Sequence, residues 1–250
     1  MPQQSPHPAE NCLVFAHRGA SSEALENTRN AFDKALRYAI DGIETDVQLT
    51  RDEIAVLWHD RFLDKIGLND QHIDDFDYHQ LQALINPASE SEGIMTLRDF
   101  LLSYRERCRL LIEVKNRDWE PVSRHQLKIR QTLDLIGRNP EQRIIVSSFN
   151  LASLVYAHQY KPGFPLVYNF ENHQTIADAR TLLNTHAFLY GLCLPIESTD
   201  HALVDLLHDH GKCAAVYTCN SDAEINKALQ LEADILISDL PQKALMLRDR

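Results

Sequence analysis

The sequence predicts an α/β protein built as a closed (β/α)8 barrel, with a short inserted cap segment after the second strand. Three observations predict it. Eight short apolar runs alternate with amphipathic segments. The length of 250 residues matches the arithmetic of eight strand–helix units. The eight glycines are dispersed, so the glycine-rich first turn of the competing architecture, an open doubly wound sheet, is missing.

Apolar runs of four to eight residues between polar stretches read as buried parallel strands. The first is 12–16. A helix over 28–38 follows, with Phe32, Ala35, Leu36 and Ala39 on one face and Asn27 as its N-cap. The second strand spans 42–49. The rhythm then breaks, because 53–93 carries extra runs at 54–57 and 76–85 and a loose stretch at 86–93. Residues 54–57 read as a hairpin return of the second strand, and 58–93 as the inserted segment, since so long a connection is usually functional or a small subdomain. Asp74, Asp75 and Asp77 read as a solvated face. Thr96 caps a helix over 97–105, and a strand at 110–114 follows. A helix over 124–136 carries Leu127, Ile129, Leu133 and Ile136. The later strands fall at 143–147, 165–168, 189–194, 213–217 and 235–237. Their helices fall at 151–160 after Asn150, at 176–183, at 202–210 ending at Gly211, at 223–231, and at 243–248 after Pro241. No repeat, low-complexity tract or interdomain linker appears, so 1–250 reads as one domain.

Composition removes whole classes of function. Acids outnumber bases by 36 to 25, a net charge of −11. That argues against a nucleic-acid binder, whose affinity rests on Lys and Arg neutralising phosphates, and against docking on an anionic membrane face. Taken alone, it predicts a cationic or neutral substrate. Residues 1–11 lack the basic and apolar regions of a signal peptide. The longest charge-free apolar stretch, 181–196, includes Asn184, His186 and Pro195 and falls short of the roughly 18 apolar residues of a membrane span. Five cysteines form no CxxC pair, which fits a reducing, cytoplasmic setting and excludes a cysteine-ligated zinc. Neither a phosphate-binding P-loop nor a GxGxxG turn can be written on this chain.

In such a barrel, chemistry sits at the C-terminal strand ends. Strand one runs into His17-Arg18-Gly19, strand two carries Glu44-Thr45-Asp46, the hairpin ends in His59-Asp60, and strand three ends in Glu113-Val114-Lys115. Glu44 and Asp46 are two apart and share a strand face. Two buried carboxylates side by side raise each other's pKa. A divalent cation resolves the conflict, with Glu113 as a third ligand. Oxygen donors suit Mg²⁺ or Ca²⁺ better than zinc. Ion pairs from these acids to Arg18 and Lys115 are the competing explanation. His17 and His59, at neighbouring strand ends, can divide base and acid roles. Arg18 offers a planar fork for phosphate oxygens, and Lys115 a point charge. This set fits phosphoryl transfer. Of the remaining histidines, His208 and His210 read as helix-end groups, and His72 and His79 as surface groups. Trp58 reads as packing, and Ser147 and Ser148 lack a GxSxG setting.

These residues resemble the glycerophosphodiester phosphodiesterase family. His17-Arg18-Gly19 is similar to its opening motif and Leu25-Glu26-Asn27-Thr28 to its Pro-Glu-Asn-Thr. Gly42 through Val47, Thr50, His59-Asp60 and Glu113-Val114-Lys115 follow in order. Ser147-Ser148-Phe149, Val216 through Asn220 and Asp234 through Pro241 resemble its later strand ends, so the likeness runs from Val14 to Pro241. Leu25 and Glu53 depart from the family's usual Pro and Gly, and the insertion lacks its common Thr-x-Gly.

The resemblance implies a (β/α)8 barrel and a metal-dependent phosphoric diester hydrolase. It would split glycerophosphodiesters, such as those of choline or ethanolamine, into sn-glycerol 3-phosphate and an alcohol. It implies Glu44, Asp46 and Glu113 as ligands of one Mg²⁺ or Ca²⁺, His17 and His59 as the acid–base pair, and Arg18 and Lys115 on the phosphate. Its partner would be a small molecule rather than nucleic acid, without stable membrane insertion. The alternatives are a lysophospholipase D or phospholipase-D-like toxin relative, or a non-catalytic phosphate-ligand binding module. The lysophospholipid reading requires an apolar entrance, which Ile66, Leu68, Ile73, Phe76 and Tyr78 of the insertion could supply. The implied pocket reverses the inference from net charge: three acids (−3), a divalent ion (+2), Arg18 and Lys115 (+2) sum to +1.

Overall fold

The computed structural model describes residues 12–85, 93–117 and 119–250. β1 (Leu13–His17) and β2 (Gly42–Leu49) run parallel, and β3 (Ala55–Leu57) returns antiparallel on β2. The parallel strands continue as β4 (Arg109–Val114), β5 (Ile144–Ser148), β6 (Leu166–Asn169), β7 (Gly191–Pro195), β8 (Cys213–Tyr217) and β9 (Ile235–Ser238). They neighbour one another in the order β1-β9-β8-β7-β6-β5-β4-β2, and β1 pairs with β2. That last pairing closes an eight-stranded parallel barrel and excludes the open sheet.

The strands form where the chain can be buried on both faces. Every residue of β2 is buried, although half of them are polar. Phe15, Leu111, Ile145, Val167, Cys213 and Ile235 pack together inside the barrel. Ile43, Val47, Ile112 and Val146, from the alternate positions, join the larger core with the helices. Burial on both faces explains why these segments read as continuous apolar runs rather than alternating ones.

The helices between the strands are α1 (Arg29–Ala35), α3 (Leu97–Tyr104), α4 (Val122–Ile136), α5 (Leu151–Tyr160), α6 (Ile176–Thr185), α7 (His201–Asp209), α8 (Asp222–Gln230) and α9 (Pro241–Arg248). α2 (Tyr78–Ile85) lies in the insertion. Thr96 and Asn150 cap α3 and α5 as expected. Asn27 does not cap α1. Thr28 does, accepting a hydrogen bond from the Ala31 amide. Asn27 instead adopts a left-handed φ of 58°, and its side chain turns to β2. Gly19, at φ +87°, lets the β1–α1 turn cross α1, since a Cβ there would lie 2.6 Å from the Ala31 carbonyl carbon.

The insertion encloses its own small core of Val56, Leu63, Ile73, Leu81 and Ile94, against which Trp58 packs. Short 3-10 turns at Asp64–Ile66 and Ile73–Asp75 lie within it. His72, expected at the surface, is half-buried between the rings of Phe62 and Trp119. The loose stretch expected at 86–93 falls outside the described residues except for Gly93. His210 bonds the Leu206 carbonyl of its own helix as expected, whereas His208 turns to the Asp234 carboxylate. Among the described residues, no helix is long and apolar enough to cross a membrane.

Candidate active site

Strand register assembles the acidic group. Alternation places Glu44 and Asp46 on one face of β2. Pairing sets Asp46 beside Glu113 on β4 and Glu44 beside His17 on β1. All three acids are buried, and their carboxylates offer oxygens within 4.8 Å of one another. Lys115 Nζ lies 2.9 Å from Asp46 Oδ1 and 2.6 Å from Glu113 Oε1. Arg18 Nε lies 3.2 Å from Asp46 Oδ2 but makes no hydrogen bond there. Asn27 Nδ2 donates to the same oxygen at 3.0 Å, and Asn27 Oδ1 accepts from Thr45 at 2.7 Å.

The ion pairs that spacing allowed are therefore present, yet they do not neutralise the site. Three carboxylates against Arg18 and Lys115 leave one negative charge. It falls on Glu44, whose ion-pairing contact among the described residues is His17 Nε2 at 3.9 Å. Burial, with the Asp46 charge beside it, pushes the Glu44 carboxyl well above the usual range. Burial acts on Asp46 in the same direction, but Lys115 and Arg18 override it and hold Asp46 well below that range. A buried, all-oxygen donor set with an uncompensated negative charge fits a hard divalent cation.

Each histidine is pinned at Nδ1. His17 Nδ1 pairs with Asp239 Oδ1 at 2.6 Å, just beyond β9. Asn220 and Ser21 also donate to the Asp239 carboxylate. Burial would raise that carboxyl, but His17, Asn220 and Ser21 bring it down to about 2. His59 Nδ1 pairs with Asp60 Oδ1 at 2.8 Å. Burial lowers the His59 pKa below its usual 6.5. The backbone of this turn is clamped: Arg117 Nη2 donates to the His59 and Asp60 carbonyls, and Gln48 Nε2 to those of Trp58 and Asp60.

The seven expected site residues thus converge, and six of them line one cleft of about 140 Å³: His17, Arg18, Glu44, His59, Glu113 and Lys115. Asp46 lies beneath, within reach of Lys115 and Arg18. The opposite wall holds Ser147, Phe149, Asn169, Tyr217 and Thr218. Phe149 and Tyr217 meet edge-on at 6.2 Å. Asn169 is 4% exposed, and its Oδ1 has no hydrogen-bond partner among the described residues.

Sequence reasoning gave no site roles to Asp239, Asp60, Glu26 or Asn169, and read Asn27 only as a helix cap. Asp60 sits next to His59, a local signal for an orienting partner. Asp239 is 222 positions from His17, and no local pattern joins them.

The profile of the glycerophosphoryl diester phosphodiesterase family matches residues 17–243. An uncharacterized protein of Mycoplasma genitalium is 35% identical over 178 residues, 67% of this chain and 72% of its own. A glycerophosphodiester phosphodiesterase of Bacillus altitudinis is 28% identical over 94% of this chain and 98% of its own. A phosphodiesterase of Oleispira antarctica, solved in complex with the product sn-glycerol 3-phosphate, superposes with a TM-score of 0.82. It is 25% identical, and the match covers 96% of this chain and 98% of that one. A Thermotoga maritima glycerophosphodiester phosphodiesterase superposes with a TM-score of 0.79 at 25% identity, over 96% of this chain and 100% of that one.

Proposed function

Because the chain belongs to the glycerophosphoryl diester phosphodiesterase family, we propose that it hydrolyses glycerophosphodiesters to sn-glycerol 3-phosphate and an alcohol. The observation that carries this reading is the convergence of three buried carboxylates, two cations and two carboxylate-pinned histidines in one cleft. The product bound by the Oleispira antarctica phosphodiesterase supports it.

Glu44, Asp46 and Glu113 would hold one Mg²⁺ or Ca²⁺, which supplies Lewis-acid polarisation of a phosphate oxygen when bound. Arg18 commits Nη1 to Glu26. Its Nη2 has no partner among the described residues and is the donor free for a phosphate oxygen. Lys115, held at the rim of the acid group, adds a second positive charge facing the cleft. His59, kept neutral by burial, is suited to accept a proton. His17 donates to the leaving alcohol oxygen, and Asp239 fixes its ring through Nδ1. The glycerol arm lies along the Ser147–Asn169 wall, where the unpartnered amide oxygen can accept from a hydroxyl.

The insertion's apolar residues disfavour an acyl-chain entrance. Ile66, Leu68, Phe76 and Tyr78 pack against its own core, and Ile73 belongs to that core. Five unpaired cysteines, four of them buried, suit the reducing cytoplasm.

The test is a panel of glycerophosphodiesters with Mg²⁺, Ca²⁺ or EDTA, followed by product analysis. We expect sn-glycerol 3-phosphate in the presence of metal and a loss of at least about a hundredfold in His17→Ala and His59→Ala. Full turnover after metal removal would sink the metal role, and unchanged variants would sink the histidine roles. Faster turnover of acylated than of deacylated glycerophosphocholine would favour the lysophospholipase D alternative.

A further inference from the structure

The inserted segment meets the catalytic end of the barrel through Lys65, in the 3-10 turn Asp64–Ile66. Its Nζ lies 2.8 Å from Glu26 Oε1 and 2.8 Å from Asp60 Oδ2. Each carboxylate commits its other oxygen to the site. Glu26 Oε2 takes Arg18 Nη1 at 2.9 Å, and Asp60 Oδ1 takes His59 Nδ1 at 2.8 Å. One unbroken line of contacts thus runs Arg18–Glu26–Lys65–Asp60–His59. Glu26, His59 and Asp60 offer ligating atoms within 4.8 Å of one another, and the Lys65 ammonium bonds two of the three.

We propose that Lys65 is a positioning residue through which the insertion sets Arg18 and His59 as one unit against the phosphodiester. The role rests on the phosphodiesterase reading above. Lys65 is not among the cleft-lining side chains, so it acts through the two carboxylates rather than on substrate. Its side chain is 40% exposed, and an ion pair so accessible adds little to folding stability. Its effect is orientational. Without the ammonium, Glu26 and Asp60 face each other as like charges. Asp60 is then drawn off His59 Nδ1, and the ring loses its fixed orientation.

Lys65→Met, Lys65→Arg and Asp60→Asn test this with glycerophosphocholine at saturating Mg²⁺. Lys65→Met should lower kcat about 10- to 100-fold, the usual effect of removing an orienting partner, with KM within about threefold and an unchanged melting midpoint. Lys65→Arg should recover most of the loss. In an Asp60→Asn background, Lys65→Met should cost less than it does in the parent, because the His59 arm is already unpinned and only the Glu26–Arg18 arm is left to lose. Nitrogen-15 NMR should show one His59 tautomer in the parent and a mixture in Lys65→Met. A Lys65→Met kcat within about twofold of the parent would overturn the proposal. So would a loss confined to KM, or full multiplication of the two losses in the double variant. If the parent hydrolyses no glycerophosphodiester, the phosphodiesterase reading falls, and positioning is judged on the NMR alone: an unchanged His59 tautomer in Lys65→Met overturns it.

Discussion

Asp239 shows how much a single side chain outside the acidic group can decide. It anchors His17 with a carboxylate that stays ionised down to about pH 2. Asp239→Asn should lower kcat by about 10- to 100-fold, because the His17 ring loses the carboxylate that orients it. The same residue contributes to acid stability. Its native pKa of about 2 lies below the ordinary 3.8, so its contribution is complete above pH 3.8 and disappears as pH falls through 2. Urea midpoints measured from pH 5 to pH 2 should fall further in the parent than in Asp239→Asn. His59 makes a separate prediction. With its pKa below 6.5, the acid limb of the kcat/KM profile should lie below pH 6.5. A limb above that value would mean that another group accepts the proton.

At the scale of elements, α4 braces the β2–β3 hairpin from outside. Arg124 Nη2 donates to the Leu49 and Thr50 carbonyls at 2.9 Å. Lys128, fully buried, lies 2.9 Å from both Glu120 oxygens and also bonds the Lys115 carbonyl. Burial pushes the Lys128 amine down to about 8, so Glu120 is what keeps it charged at neutral pH. Glu120→Ala should cost about 3–5 kcal/mol in urea unfolding, because it leaves a buried ammonium without a partner. Little of this brace was legible beforehand. The eight barrel strands were, since two-sided burial demands long apolar runs. The hairpin was legible too, and the strand period of two anticipated that Glu44 and Asp46 share a face. Asn27 was misplaced because Asn and Thr are both good caps, and adjacent residues competed for one role. Lys65 carried no signal, because its two partners are 39 and 5 positions away and only the folded insertion brings them together.

For the whole molecule, the net charge of −11 and the cleft pull in opposite directions. Long-range attraction does not guide an anion to this surface, so kcat/KM for a diester should stay flat or rise as salt increases to about 0.15 M. A steep fall would mean that a positive field reaches well beyond the cleft. A cation held by the native acid group must also stabilise the fold by mass action. At about 100 times its dissociation constant, the gain is roughly 2.7 kcal/mol. The melting midpoint should therefore rise with Mg²⁺ or Ca²⁺ in the parent and stay put in Asp46→Asn. The closing contact between β1 and β9 carries one more consequence. His17 is among the first residues of the barrel to leave the ribosome, and Asp239 among the last. A nascent or prematurely terminated chain that lacks residue 239 cannot seat His17. The order of synthesis therefore delays the seating of His17 until residue 239 has been made, and clipping before that position would unseat His17 while most of the barrel remained.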